Sequence, residues 1–135
     1  MNIYNQQKEF WEDKKRSRRR YPNHPVVEAF VIPKINFISK NINLFKKTSL
    51  LDVGCGNGFF TYHFNKLCDV VGLDFSEQML KINPHLNLIK GDAENLPFNN
   101  NSFDIVFCSN LLHHLKNPEI AINEMKRVSK KYIIL

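Results

Sequence analysis

The segment Leu51-Asp52-Val53-Gly54-Cys55-Gly56-Asn57-Gly58 most narrows what this chain can become. An apolar run carrying one acid breaks into three glycines at alternate positions. Glycine reaches backbone conformations closed to other residues and lets a ligand lie against bare main chain. A strand passing through such a turn into a helix is how parallel sheets hold nucleotide-like molecules.

The rest of the pattern supplies the sheet. Short apolar runs predict strands at 50–53, 70–74, 86–90 and 103–108, and a fifth beginning at Tyr132. Between them, 58–67 reads as a helix with Phe60, Phe64 and Leu67 on one stripe. Ser76 caps a helix over 77–82 that Pro84 ends, and Pro118 opens another with Ile120, Ala121, Met125 and Val128 inward. Strand–helix alternation at this spacing requires right-handed crossovers and helices on both faces. Strands apolar throughout, not alternately, fit burial on both faces. The fold class is α/β, a Rossmann-like three-layer sandwich with a mostly parallel sheet.

The N-terminal third is different in kind. Residues 6–20 are polar and helix-permissive, and 26–42 reads as a helix in which Pro33 marks a break or a new first turn. The expected organisation is a helical lid or cap over 1–48 and a ligand-binding core over 49–135. Phe10, Trp11, Phe30 and Phe37 suit either an apolar acceptor under that cap or packing on the sheet. Residues 1–50 hold 11 Lys or Arg against 4 acids, so the net charge of +6 belongs to this third. The run Lys14-Lys15-Arg16-Ser17-Arg18-Arg19-Arg20 reads as a solvated helix face or as a surface for RNA or anionic membrane. Three cysteines without CxxC spacing argue against a disulfide scaffold or zinc site and fit a cytoplasmic protein. No uninterrupted apolar run approaches a membrane span. The chain stops inside an apolar strand, so a truncated product or a piece of a longer protein is expected.

Charge chooses the ligand. A dinucleotide presents a pyrophosphate, which Asp52 beside the glycines would repel. The same carboxylate suits S-adenosylmethionine, whose ammonium and sulfonium are positive. Asp74, twenty-two residues beyond Asp52, stands where an acid accepts from both ribose hydroxyls. Phe75 and Met79 are placed to flank the adenine, although Met79 fits the core equally well. Asp92 and Ala93 in Gly91-Asp92-Ala93-Glu94 suit the adenine amino group and a ring nitrogen, or else an Asx turn. Ser109, Asn110, His113 and His114 follow the fourth strand, where an acceptor must approach. Either histidine is a candidate base. With no third partner at metal spacing, no metal site is expected.

Four ordered segments carry a resemblance. Residues 51–58 are similar to the first motif of the class I S-adenosylmethionine-dependent methyltransferases. Val71-Gly72-Leu73-Asp74-Phe75-Ser76-Glu77-Gln78-Met79-Leu80 resembles their second-strand motif. Gly91-Asp92-Ala93-Glu94-Asn95-Leu96-Pro97-Phe98 looks like their adenine-binding segment, and 103–115 like their fourth-strand segment. The small-molecule group typified by quinone-biosynthesis C-methyltransferases matches best. The resemblance implies strand order 3-2-1-4-5 and a sheet lacking the family's last two strands. It implies methionine contacts from Asp52, Gly54 and Gly56, a ribose contact from Asp74 and adenine contacts from Asp92 and Ala93, and Cys55, Phe75, Met79 and Ser109 complete the expected cofactor-binding set. Methyl transfer to a small-molecule acceptor is the expected function. A truncated, donor-binding but non-catalytic member and a tRNA methyltransferase are the alternatives.

Overall fold

The five strands differ in how much water they can tolerate, and this sets their order. The computed structural model describes residues 3–13 and 21–135. The apolar β1 (Ser49–Val53) is central, paired with β2 (Asp69–Asp74) on one side and β4 (Phe103–Cys108) on the other. The three-residue β3 (Leu88–Lys90) and the more polar β5 (Ser129–Ile134) take the edges. All four pairings are parallel and the order is β3-β2-β1-β4-β5, as expected. The chain reverses its direction of travel across the sheet between β1 and β4. Loops leaving those strands therefore part and open a crevice at their C-terminal ends.

Each central strand feeds two cores. Leu50, Val70, Ile105 and Phe107 pack with Phe60, Phe64 and the buried stripe Val27, Val31, Ile35 and Ile38 of α2 (Pro25–Asn41). On the other face Leu51, Val53, Leu73 and Val106 meet Ala121, Met125 and Val128 of α5 (Pro118–Val128). Burying a side chain such as Met125, wholly out of water, stabilises by about 1.5–3 kcal/mol. The remaining helices are short: α1 (Ile3–Glu12), α3 (Thr61–Phe64) and α4 (Glu77–Ile82). Ser76 caps α4 as expected, its hydroxyl accepting from the Met79 amide at 3.2 Å.

Several boundaries differ from expectation. Pro33 does not break α2, which runs unbroken through it. Pro33 and Ala29 are both exposed, so the Ala29 carbonyl left without its usual donor faces water. Ile120 is 46% exposed and not inward. The buried stripe is Ala121, Met125 and Val128, and Ile120 lies one position off it. The helix expected over 58–67 is regular only at Thr61–Phe64, and Cys68 takes the buried place assigned to Leu67. Leu86 is almost fully exposed, because Asn83, Pro84 and His85 delay β3 until Leu88. β5 begins at Ser129, which also caps α5, three residues earlier than expected. The basic run 14–20 lies outside the described residues.

Since Pro33 sits in an exposed helix interior, Pro33→Ala restores an N–H to the ladder. Allowing for the freer unfolded chain, the expected gain is about 1–2 kcal/mol. It reads as a rise of several degrees in thermal unfolding followed by circular dichroism.

Candidate functional site

The crevice is a cavity of about 640 Å³ at the C-terminal ends of β1, β2, β3 and β4. Its floor is the turn after β1. The Gly54 and Cys55 amides both donate to the Leu73 carbonyl, at 2.8 and 3.0 Å, which anchors the turn on β2. Gly56 has φ 52°, and a Cβ there would meet open space. Gly58 has φ 89°, and a Cβ there would collide with the Asn83 side chain. One position thus needs glycine for its backbone alone, the other also for a close approach.

Two side chains grip this turn from opposite sides. Asp74, at the end of β2, accepts from the Gly56 amide through Oδ2 and from the Ser76 amide through Oδ1, both at 2.8 Å. Asn83, ending α4, donates from Nδ2 to the Gly56 carbonyl at 3.1 Å, while its Oδ1 accepts from the His85 amide at 3.0 Å. The Gly56 peptide groups are thereby held at both N–H and C=O. Sequence reasoning missed Asn83, since an asparagine before a proline at a helix end reads as ordinary turn chemistry.

The second acid lies deeper. Asp52 is 2% exposed and accepts from Thr61 Oγ1 at 2.7 Å. Burial pushes its pKa up to about 7, the Thr61 hydrogen bond pulling back and the nearby Asp74 adding to the rise. Asp74 is also raised, by burial first, against the opposing amides of Ser76 and Gly56. The Cys55 thiol is pushed up by burial and then by Asp52 and Asp74, so it stays protonated.

Of the residues singled out from sequence, Gly54, Cys55, Gly56, Asp74, Phe75, Met79, Asp92, Ala93, Ser109, Asn110 and His114 line the cavity. Asp52 does not; it sits behind the turn. His113 is exposed, its ring 3.9 Å from that of His114, so His114 is the histidine that faces the cavity. Met79 is both core and lining. Asp92 forms the Asx turn, its Oδ1 accepting from the Glu94 amide at 2.8 Å, and also lines the cavity.

The N-terminal third closes the other side. Trp11, Glu12 and Phe30 line the cavity with Phe59 and Phe60. Ser76 Oγ donates to the Trp11 carbonyl at 3.0 Å, and the Glu77 amide donates to Glu12 Oε1 at 3.1 Å. The Trp11 ring meets His114 edge-on at 5.4 Å. α1 therefore spans from α4 to the 3₁₀ turn Leu112–His114. Phe37, considered for the same wall, is 70% exposed and does not line the cavity.

Residues 51–134 match the family described as a methyltransferase domain. The chain belongs to that family. Demethylmenaquinone methyltransferase of Staphylococcus carnosus is 36% identical over a 104-residue alignment that covers 69% of this chain and 43% of the relative. The chain thus spans less than half the length of the curated relatives it matches. Among solved structures, the PH0226 protein of Pyrococcus horikoshii superposes with TM-score 0.71 at 26% identity, covering 81% of this chain and 56% of that one. A SAM dependent methyltransferase from Aquifex aeolicus shares the fold with TM-score 0.72 at 24% identity, covering 90% and 70%.

The buried acid makes stability depend on pH in a defined direction. An unfolded aspartate titrates near 3.9, whereas Asp52 in the fold titrates at about 7. Between those values the folded state holds a proton that the unfolded state lacks. Stability is therefore highest below about pH 4 on this account and is lost as pH rises to about 7. The span is on the order of 3–4 kcal/mol for Asp52, and Asp74 adds to it with the same sign. Thermal unfolding of the ligand-free protein is expected to fall by several degrees across this window, and Asp52→Asn to flatten most of the slope.

Proposed function

We propose that the cavity binds S-adenosylmethionine and that the protein methylates a flat, apolar small-molecule acceptor of the kind the demethylmenaquinone relatives are named for. The observation that carries this reading is the turn at 54–58, free of side chains towards the cavity at Gly56 and backed by the buried Asp52. Such a site receives a positively charged methionine end and disfavours a diphosphate. The fit is chemical as well as steric. The Asp74 carboxylate accepts from the Gly56 and Ser76 amides, and its roughly four lone-pair sites leave capacity for a ribose hydroxyl. Asp92 likewise has Oδ2 left for an amino group after its turn bond.

When bound, S-adenosylmethionine supplies a methyl group already activated on a sulfonium. The work left to the chain is alignment, desolvation and handling of a proton. The bare turn at Gly56 seats the donor, Asp74, Asp92 and Ala93 hold it, and Cys55, Phe75, Met79 and Ser109 shape its walls. Trp11, Phe30, Phe59, Phe60, Leu111 and Leu115 form an aromatic and aliphatic wall that orders an apolar acceptor and excludes water. His114 is the group placed to take a proton from an acceptor hydroxyl. Residues 1–48 act as the cap, since Trp11, Glu12 and Phe30 come from them. Three buried free thiols accord with a cytoplasmic setting.

Calorimetry with S-adenosylhomocysteine tests the donor site. Asp74→Ala and Gly56→Ala are each expected to weaken binding at least tenfold, the latter adding a Cβ that meets no neighbouring atom in the ligand-free fold and costs only the strain of an alanine at positive φ. Unchanged affinity in both variants, or preferential binding of NADH by the natural chain, would sink the reading. Affinity should also rise as pH is raised from about 5.5 to about 7.5, because Asp52 ionises across that range, and Asp52→Asn should remove the trend. For the acceptor side, His114→Ala is expected to lower kcat by about 10²-fold or more while S-adenosylhomocysteine affinity stays within about threefold.

A further inference from the structure

α2 carries two apolar stripes, and the core uses only one. Val27, Val31, Ile35 and Ile38 are buried. At about 100° per residue, Val26, Phe30, Pro33 and Phe37 form a second stripe turned roughly 120° from the first. Val26, Phe30 and Phe37 are 55%, 53% and 70% exposed. A continuous apolar stripe in water marks an interaction surface.

The chemistry of its borders identifies the partner. Lys40 runs along one side of the stripe and Lys34 along the other, with Lys34 Nζ 3.8 Å from the Phe30 ring centroid. Glu28, the single acid in α2, projects from nearly the opposite side. The whole N-terminal third is basic, 11 Lys or Arg against 4 acids over residues 1–50.

We propose that this outer stripe of α2 docks the protein on an anionic lipid bilayer. The helix lies flat, its phenylalanines enter the headgroup region, and the lysines extend to lipid phosphates. A bilayer satisfies rings and ammonium groups together. Single-stranded RNA stacks bases on rings but gives the aliphatic Val26 and Pro33 no apolar cover, and an apolar protein groove would leave the lysines without counter-charge. The attachment is peripheral, since among the described residues no helix is long and apolar enough to cross a membrane. Phe30 belongs to both the stripe and the cavity wall, so the docked bilayer adjoins the cavity mouth. Delivery of an acceptor by that route rests on the proposed function; docking itself does not.

Co-sedimentation with phosphatidylcholine vesicles containing about 30% phosphatidylglycerol tests the proposal, beside pure phosphatidylcholine vesicles and RNA. The expected result is retention on the anionic vesicles only, weakened at least tenfold between about 0.1 M and about 0.5 M salt. Phe37→Asp should weaken retention tenfold or more and Lys40→Gln about fivefold. Neither residue lines the cavity, so thermal unfolding and S-adenosylhomocysteine affinity should match the natural chain and show both variants folded. Absence of retention on anionic vesicles overturns the proposal. So does retention that Phe37→Asp leaves intact, which would assign it to residues 14–20. Preference for RNA, or a lipid-independent dimer that Phe37→Asp dissociates, overturns it too. Loss of S-adenosylhomocysteine binding with vesicle retention intact would defeat the donor-site reading and leave docking standing.

Discussion

The carboxylate of Asp74 ties together the parts on which everything else depends. One oxygen holds the turn after β1 through the Gly56 amide, and the other holds the entry to α4 through the Ser76 amide. Two loops that leave neighbouring parallel strands are thereby fixed to one group. Because that group is nearly buried, each hydrogen bond works in a weak dielectric and is costly to lose. Ser76 then extends the linkage outward, its hydroxyl accepting from Met79 and donating to the Trp11 carbonyl of α1. Floor, wall and roof of the cavity thus meet at one acid and one hydroxyl.

How much of this could be read beforehand follows from the range of the forces involved. Layer assignment was legible, since runs apolar on both faces admit few arrangements and parallel crossovers admit one hand, whereas strand order came from the resemblance that the four motifs carry. The misread boundaries all turned on which neighbour a residue would meet. Pro33 is tolerated because the Ala29 carbonyl faces water, and Leu67 gave way to Cys68 because the chain tightens after α3, with the Lys66 and Leu67 amides bonding three residues back. Neither circumstance is written in local periodicity. Ile120 shows the same limit at finer scale, where a one-position error in a helical stripe moves a side chain from core to solvent.

The site divides along the same line. Residues on the loops after β1, β2, β3 and β4 were recognisable because strand ends converge wherever the sheet is parallel. The turn's second clamp, Asn83, was not, for its partner Gly56 lies 27 residues away. Nor was the docking of Trp11 and Glu12 on α4, across 65 residues. Asp52 was legible as an acid beside glycines but not as a group behind the turn, out of cavity contact, whose burial raises its pKa to about 7.

That last point alters how the acid acts. A carboxylate exposed in the cavity would be ionised whatever bound, and would attract any cation. Buried behind the turn and next to a second raised acid, Asp52 is close to balanced between its two forms near neutral pH. A positive ligand entering the cavity favours the ionised form, and the ionised form favours the ligand, so proton release and binding are coupled. A diphosphate has the opposite effect, driving Asp52 towards its neutral form at a cost in affinity. Burial therefore does more than hold a charge ready: it makes the charge appear in response to a ligand of the right sign.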